Sequence, residues 1–272
     1  ADDGALSWSP DFRPVGLIEG LSLLPLGGLL LAIETAWSPP DHARWRGPIL
    51  FDAALRDAFR GRSRGLQIAA STISDRLFIG GVIVPVVVDV GVVALGLHRA
   101  PGVALQLLLI DLESLAAAGL ISLTAEHAVG RARPYVQDCG ADGLVRDESG
   151  RPLRNHCGSV SDFKSFFSGH AAATGAIAGL TCLHHQHLAL YGGGAADLAP
   201  CLFMIALSMT TGVGRIVADR HWASDVLTGW GIGALSGYLL PALLHYGFGP
   251  SGLQPISQVD AHTVLFGIAS TL

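Results

Sequence analysis

Hydrophobic positions in this chain gather into long runs separated by polar links. Six runs stand out, roughly residues 14–36, 77–97, 103–125, 168–190, 199–213 and 222–246. Most reach the ~20 residues that a membrane-spanning helix needs; the fifth is short. The links are uneven. Residues 37–76 form a long polar link, 126–167 a second, and 191–198 a Gly-rich turn, and the tail 247–272 reads as irregular. Within the first link, Phe51, Leu55 and Phe59 recur every four residues while Asp52, Arg56 and Arg60 take another face. That spacing predicts a short amphipathic helix near 49–61, lying on a membrane surface or packed on a loop. The expected architecture is all-α: one polytopic bundle over 1–246 with about six transmembrane helices.

Composition strengthens this reading. Hydrophobic residues make up 50% of the chain and charged residues only 14%, about half the usual share; mean hydropathy is +0.47. A soluble bundle of six buried helices would need charged outer faces. The 35 glycines suit membrane helices, where small residues let backbones approach. A net charge of −5 gives no reason to expect nucleic acid. The start, ADDGALSWSP, has no initiator Met, basic stretch or apolar core; it fits a mature end after signal cleavage or a truncation point.

Charge is concentrated on one side. With six spans, all of the 17 Lys and Arg residues except Arg13 and Arg99 fall on the side of the links after spans one, three and five. Such a surface attracts an anionic substrate or anionic headgroups. The positive-inside rule alone would make that side cytoplasmic.

Three clusters on this side have the makings of a phosphate site. In EHAVGRARPY (126–135), Arg131 and Arg133 offer forked donors that match phosphate oxygens. In KSFFSGHAAATGA (164–176), Ser168 and Gly169 stand where a helix should begin, with free N–H groups at its positive end, and His170 follows. In GRIVADRHWASDVLTG (214–229), His221 and Asp225 share a face if a helix starts near Arg220. A carboxylate there can accept the imidazole N–H and leave the other nitrogen free as nucleophile or ligand. Arg215 is close enough to fold over the same anion.

Together these clusters resemble the three-part signature of the type 2 phosphatidic acid phosphatase and vanadium haloperoxidase superfamily, K-x6-R-P, P-S-G-H and S-R-x5-H-x3-D. The matching residues are Arg133-Pro134, Ser168-Gly169-His170, and Arg215, His221 and Asp225. The resemblance implies that His221 attacks phosphorus, Asp225 orients it and His170 protonates the leaving oxygen. Arg133, Arg215, Ser168 and the Gly169 N–H would hold the phosphate oxygens, with no metal or cofactor. It also implies a multi-pass protein of the bacterial inner membrane with its site facing the periplasm. The expected substrate is a lipid phosphate or diphosphate: phosphatidate, phosphatidylglycerol phosphate, undecaprenyl pyrophosphate or a lipid A phosphate.

Three positions depart from the signature: Glu126 for Lys, Phe167 for Pro and Gly214 for Ser. Glu126 puts an acid where the family places a phosphate-binding cation. Lys164, the chain's single lysine, is the expected substitute, with Arg131 second. Two other readings stay open: a non-catalytic relative that binds lipid or assembles with partners, and a vanadate-dependent haloperoxidase.

The remaining polar residues of the spans fit structural roles. His184, His185 and His187 fall at the far end of the fourth span, a polar membrane edge. Glu19, Glu34, Asp89, Asp111 and Glu113 lie in or beside apolar runs and predict helix–helix contacts or a homo- or hetero-oligomer interface. Trp222 and Trp230 read as packing or interface residues. Cys139 with Cys157, and Cys182 with Cys201, are two possible disulfides or four free thiols.

Overall fold

The structure, a computed structural model, describes residues 6–146, 149–247, 253–260 and 263–270. Seven helices carry the bundle: α1 (Leu17–Ala36), α2 (Asp52–Phe59), α3 (Arg64–Leu97), α4 (Pro101–Val129), α5 (Gly169–His187), α6 (Ala195–Val217) and α7 (Ala223–Tyr246). The protein is an all-α polytopic bundle. Two short antiparallel pairs complete it, β1 (Leu144–Arg146) with β2 (Pro152–His156), and β3 (Leu253–Asp260) with β4 (Thr263–Ser270). The tail expected to be irregular thus contains a hairpin.

Among the described residues, five helices, α1, α3, α4, α6 and α7, are long and apolar enough to cross a membrane. The fourth apolar run forms α5, which is not among these five. That helix packs against α3, α4, α6 and α7. Its buried side is built from Ala171, Ala172, Thr174, Ala176, Thr181, His184 and His185 as well as Ile177, Leu180 and Leu183. Enclosed by protein, it has no need of the apolarity that lipid demands of its neighbours. In α1, by contrast, Ile33 is the one buried residue, and Leu17, Ile18, Leu24 and Leu31 are exposed.

The α5–α7 contact is set by small residues. Gly229, Gly233 and Gly237 repeat every four positions along α7. A Cβ on Gly233 would lie 2.4 Å from the Ala172 carbonyl oxygen, and one on Gly237 1.9 Å from that of Ala176. The two backbones therefore touch, as in small-xxx-small membrane pairs.

Two helix boundaries differ from the hydropathy runs. α6 begins before and ends after the short fifth run. α3 begins at Arg64, so residues 64–76 are three further turns of helix and not a link; beyond Pro85 it continues with wider, π-type winding over Val86–Leu97. Its buried polar residues Gln67, Ser71 and Ser74 follow helical spacing toward α6 and α5.

α2 forms as the amphipathic pattern predicts. Asp52 and Arg56 are buried, and Phe51 and Phe59 are exposed. Its charged face is turned onto the polar loops and its apolar face outward.

The ends of α1, α4 and α6 and the starts of α3, α5 and α7 meet on one side, with α2 against α6 and α7. At the C-terminus of α4, Gly130 takes φ 66, the left-handed turn that ends a helix there. The following link is pinned by the Cys139–Cys157 disulfide; Cys182–Cys201 ties α5 to α6.

Candidate active site

His221 lies in the short link between α6 and α7 and is 3% exposed. Its Nδ1–H donates to the Ser165 carbonyl at 2.8 Å. That bond fixes the tautomer and leaves a lone pair on Nε2, which accepts from Arg133 Nη1 at 3.2 Å. Asp225 does not make the direct bond expected of it; its Oδ2 is 3.8 Å from Nδ1. Instead Asp225 accepts from the Ser165 hydroxyl at 2.6 Å and the Trp222 N–H at 2.9 Å. It is connected to the imidazole through Ser165, a residue the motif pattern does not single out.

Arg131 is absent from the pocket for a clear reason. Its guanidinium is fully buried between Asp225, at 2.5 Å, and Asp52, at 2.6 Å, with the Trp45 ring 3.9 Å away. Asp52 also accepts from the Ser224 N–H and hydroxyl, both at 2.8 Å. Burial works to raise the Asp52 carboxyl, but the Ile49 and Ser224 N–H groups, the Ser224 hydroxyl and Arg131 outweigh it and hold it below the ordinary value. A second clamp forms one turn along α2, where Arg56 binds Asp219 at 2.8 Å and also Asp138.

Arg133 remains at the pocket edge, donating to the Ser161 and Arg220 carbonyls at 2.8 and 2.9 Å. On its outer side a pocket of about 320 Å³ is lined by Arg46, Gln137, Phe163 and Trp222. Ser168 caps α5, and its N–H donates to the Asp225 carbonyl at 3.2 Å. His170, in the first turn, presents Nε2 to Asp75 Oδ1 at 2.9 Å. Arg215 reaches the same Oδ1 at 2.7 Å and the Ser74 hydroxyl at 3.3 Å, while its buried Nε has no partner. Asp75 and Ser165 are the two site residues that sequence reasoning passed over.

Glu126 and Lys164 stand together at the opposite rim. Glu126 Oε1 lies 3.2 Å from where a Cβ on Gly169 would be, so the carboxylate overhangs the α5 N-terminus. Lys164 Nζ is 3.7 Å from Glu126 and 3.2 Å from Glu34 at the end of α1. The expected replacement cation is thus close to the site but neutralises two acids.

Burial first, then the Arg133 and Arg215 charges, press the His221 pKa well below the ordinary imidazole value, against the Ser165 carbonyl. The ring is neutral near pH 7. A neutral imidazole with a fixed tautomer, facing two guanidiniums and a helix N-terminus, can act as a nucleophile toward an anion.

The other polar residues of the spans pair between elements. Asp111 of α4 meets His184 of α5 at 3.0 Å, Glu113 meets His245 at 2.9 Å, and Asp197 meets His185 at 2.6 Å. Among the described residues, Glu19, Glu113 and His245 bring metal-ligating atoms within 4.8 Å of one another. Arg13 already pairs with Glu19 there. Trp222 and Trp230 are packed, donating to the Ala132 and Ser208 carbonyls.

The fold and site thus define a polytopic helical bundle with a histidine–arginine cluster at one end. The PAP2 superfamily model matches residues 107–248, just over half of the chain, and the chain belongs to that superfamily. Membership gives it a phosphatase-type function in general terms. Comparison with curated proteins and with solved structures gives no match.

Proposed function

We propose that this protein is a metal-independent phosphatase that hydrolyses a lipid phosphate or diphosphate through a phosphohistidine on His221. The observation that carries this reading is the His221 ring, anchored at Nδ1 by Ser165 with its Nε2 lone pair beside Arg133. Nε2 attacks phosphorus and the P–O bond breaks. The leaving oxygen takes a proton from His170, and water then attacks phosphorus and restores the imidazole. Arg133, Arg215, Ser168 and the Gly169 N–H hold the equatorial oxygens, whose charge must be stabilised in the transition state. The unpartnered Arg215 Nε supports this role, since a bound anion would satisfy it. Lipid as substrate is supported by the five helices long and apolar enough to cross a membrane. An inner membrane with the site on its outer face is supported by the Cys139–Cys157 disulfide in a site-side link.

The test is phosphate release by purified protein in lipid nanodiscs from phosphatidate, phosphatidylglycerol phosphate, undecaprenyl pyrophosphate and a lipid A phosphate. At least one should be hydrolysed, His221→Ala should hydrolyse none, and labelled phosphate trapped on the wild type should be acid-labile and base-stable. Failure of the wild type on every substrate would favour a second reading, a non-catalytic lipid-binding member. The Glu126 carboxylate over the α5 N-terminus is the observation on that side.

A further inference from the structure

One half-exposed carboxylate beside His170 and Arg215 is not used by the mechanism above. Asp75 is on α3, just ahead of its apolar run, and its side chain is 51% exposed. A single oxygen, Oδ1, contacts both His170 Nε2 and Arg215 Nη1, at 2.9 and 2.7 Å. An acid at the edge of an apolar helix is costly and is retained where it has a partner. Here the partners are the proton donor and an anion ligand of the same reaction.

The surroundings of His170 make the carboxylate consequential. The ring packs against Phe78 of α3, centroids 4.6 Å apart. The charged and titratable groups facing it are Asp75 from α3, Arg215 from α6, Arg133 from the link after α4 and His221 ahead of α7. Glu126 of α4 overhangs the neighbouring Gly169. Burial first and then the Arg215 and Arg133 charges work against a second proton on His170 and outweigh Asp75, the anion in contact with the ring that opposes them; a bound phosphate would add its negative charge to that of Asp75.

We propose, resting on the phosphatase reading, that Asp75 is the positioning residue of the proton donor: it accepts the Nε2–H of His170 and thereby sets Nδ1–H toward the leaving oxygen. In the first step the His221 Nε2–P bond forms and the P–O bond breaks with its electron pair on the leaving oxygen. That oxygen takes the Nδ1 proton, and His170 keeps its other proton on Nε2, bonded to Asp75. In the second step water gives a proton to Nδ1 as its oxygen bonds to phosphorus, and the P–N electron pair returns to His221. The logic is that of a carboxylate behind a catalytic imidazole, applied to the acid instead of the nucleophile.

The experiment compares kcat/KM of wild type, Asp75→Asn and Asp75→Glu on two substrates. Short-chain phosphatidate has an alkoxide leaving group that needs a proton; p-nitrophenyl phosphate does not. Asp75→Asn should lower kcat/KM about 10- to 100-fold on phosphatidate but under about 3-fold on p-nitrophenyl phosphate. Its alkaline limb on phosphatidate should move to lower pH, because His170 then loses its proton more readily. Asp75→Glu keeps the charge and should keep the wild-type limb; should Asp75→Asn not fold, a shifted limb in Asp75→Glu would still count against the proposal. Equal losses on both substrates would overturn it, assigning Asp75 to Arg215 alone, and so would no loss or a gain. A wild type inactive on both would defeat the phosphatase reading itself, a result distinct from either.

Discussion

His221 is kept neutral by what surrounds it, and that has a measurable sign. Its folded pKa lies well below the ordinary value of 6.5, so folding favours the unprotonated ring. Above that value folded and unfolded chains are both neutral at this site. As pH falls through it, the unfolded chain takes up a proton that the folded chain refuses, and stability declines. Thermal midpoints should fall between about pH 7 and about pH 5, and fall less in His221→Asn. Arg131 gives a contrasting expectation. Between Asp52 and Asp225 it is structural, so Arg131→Ala should cost about 3–5 kcal/mol of stability by stranding buried carboxylates; denaturant melts would read this, and a stable but slow variant would return Arg131 to the anion site. At the rim, Glu126→Gln should raise kcat/KM on an anionic substrate and Lys164→Ala lower it, each by about 10-fold, with the double variant near Glu126→Gln because the lysine then has no Glu126 charge to neutralise. Additive effects in that cycle would show that the pair does not act as one. The motif spacing made His221, His170, Arg133, Arg215 and the Ser168 turn legible. It could not separate Arg131 from Arg133, because two arginines one residue apart look alike until the chain shows which is buried. Ser165 was invisible for a related reason, since its contribution to His221 is a backbone carbonyl, which every residue has.

At the level of elements, hydropathy located the helices but not their ends or their neighbours. Lipid-facing segments announce themselves by apolarity. α5 faces protein on most sides, so it shows small and polar residues instead, and its identity as a central helix came only with packing. Asp75 escaped because residues 64–76 are too polar to join an apolar run, although Gln67, Ser71 and Ser74 already follow helical spacing. The α5–α7 seam can be tested directly. Gly233→Val must push a side chain into the Ala172 carbonyl, which should cost about 1–3 kcal/mol or more. Because α5 carries His170 and α7 follows His221, activity should fall in parallel with the melting temperature, whereas Gly231→Val, where a Cβ meets nothing within 4 Å, should leave both near wild type.

The whole molecule gathers most of its Lys and Arg at one end, and a topology experiment reads which aqueous phase that end meets. A cysteine introduced at Gly143, in the site-side link, should react with an impermeant maleimide in intact spheroplasts; protection until lysis would put the site in the cytoplasm. The amphipathic helix α2 bears on how such an end comes together. Its outward side holds Phe51 and Phe59, and its inward side holds the Asp52 and Arg56 grips on the motif loops. In water the same segment would tend to turn over, hiding its phenylalanines and releasing both grips. Insertion into a bilayer removes that incentive, so the expected order of assembly is spans first, then α2 settling at the interface, and last the loops closing over His221. Protein refolded in micelles too small to cover α2 should regain its helices before its site, with far-UV circular dichroism recovering while vanadate binding lags until lipid is added.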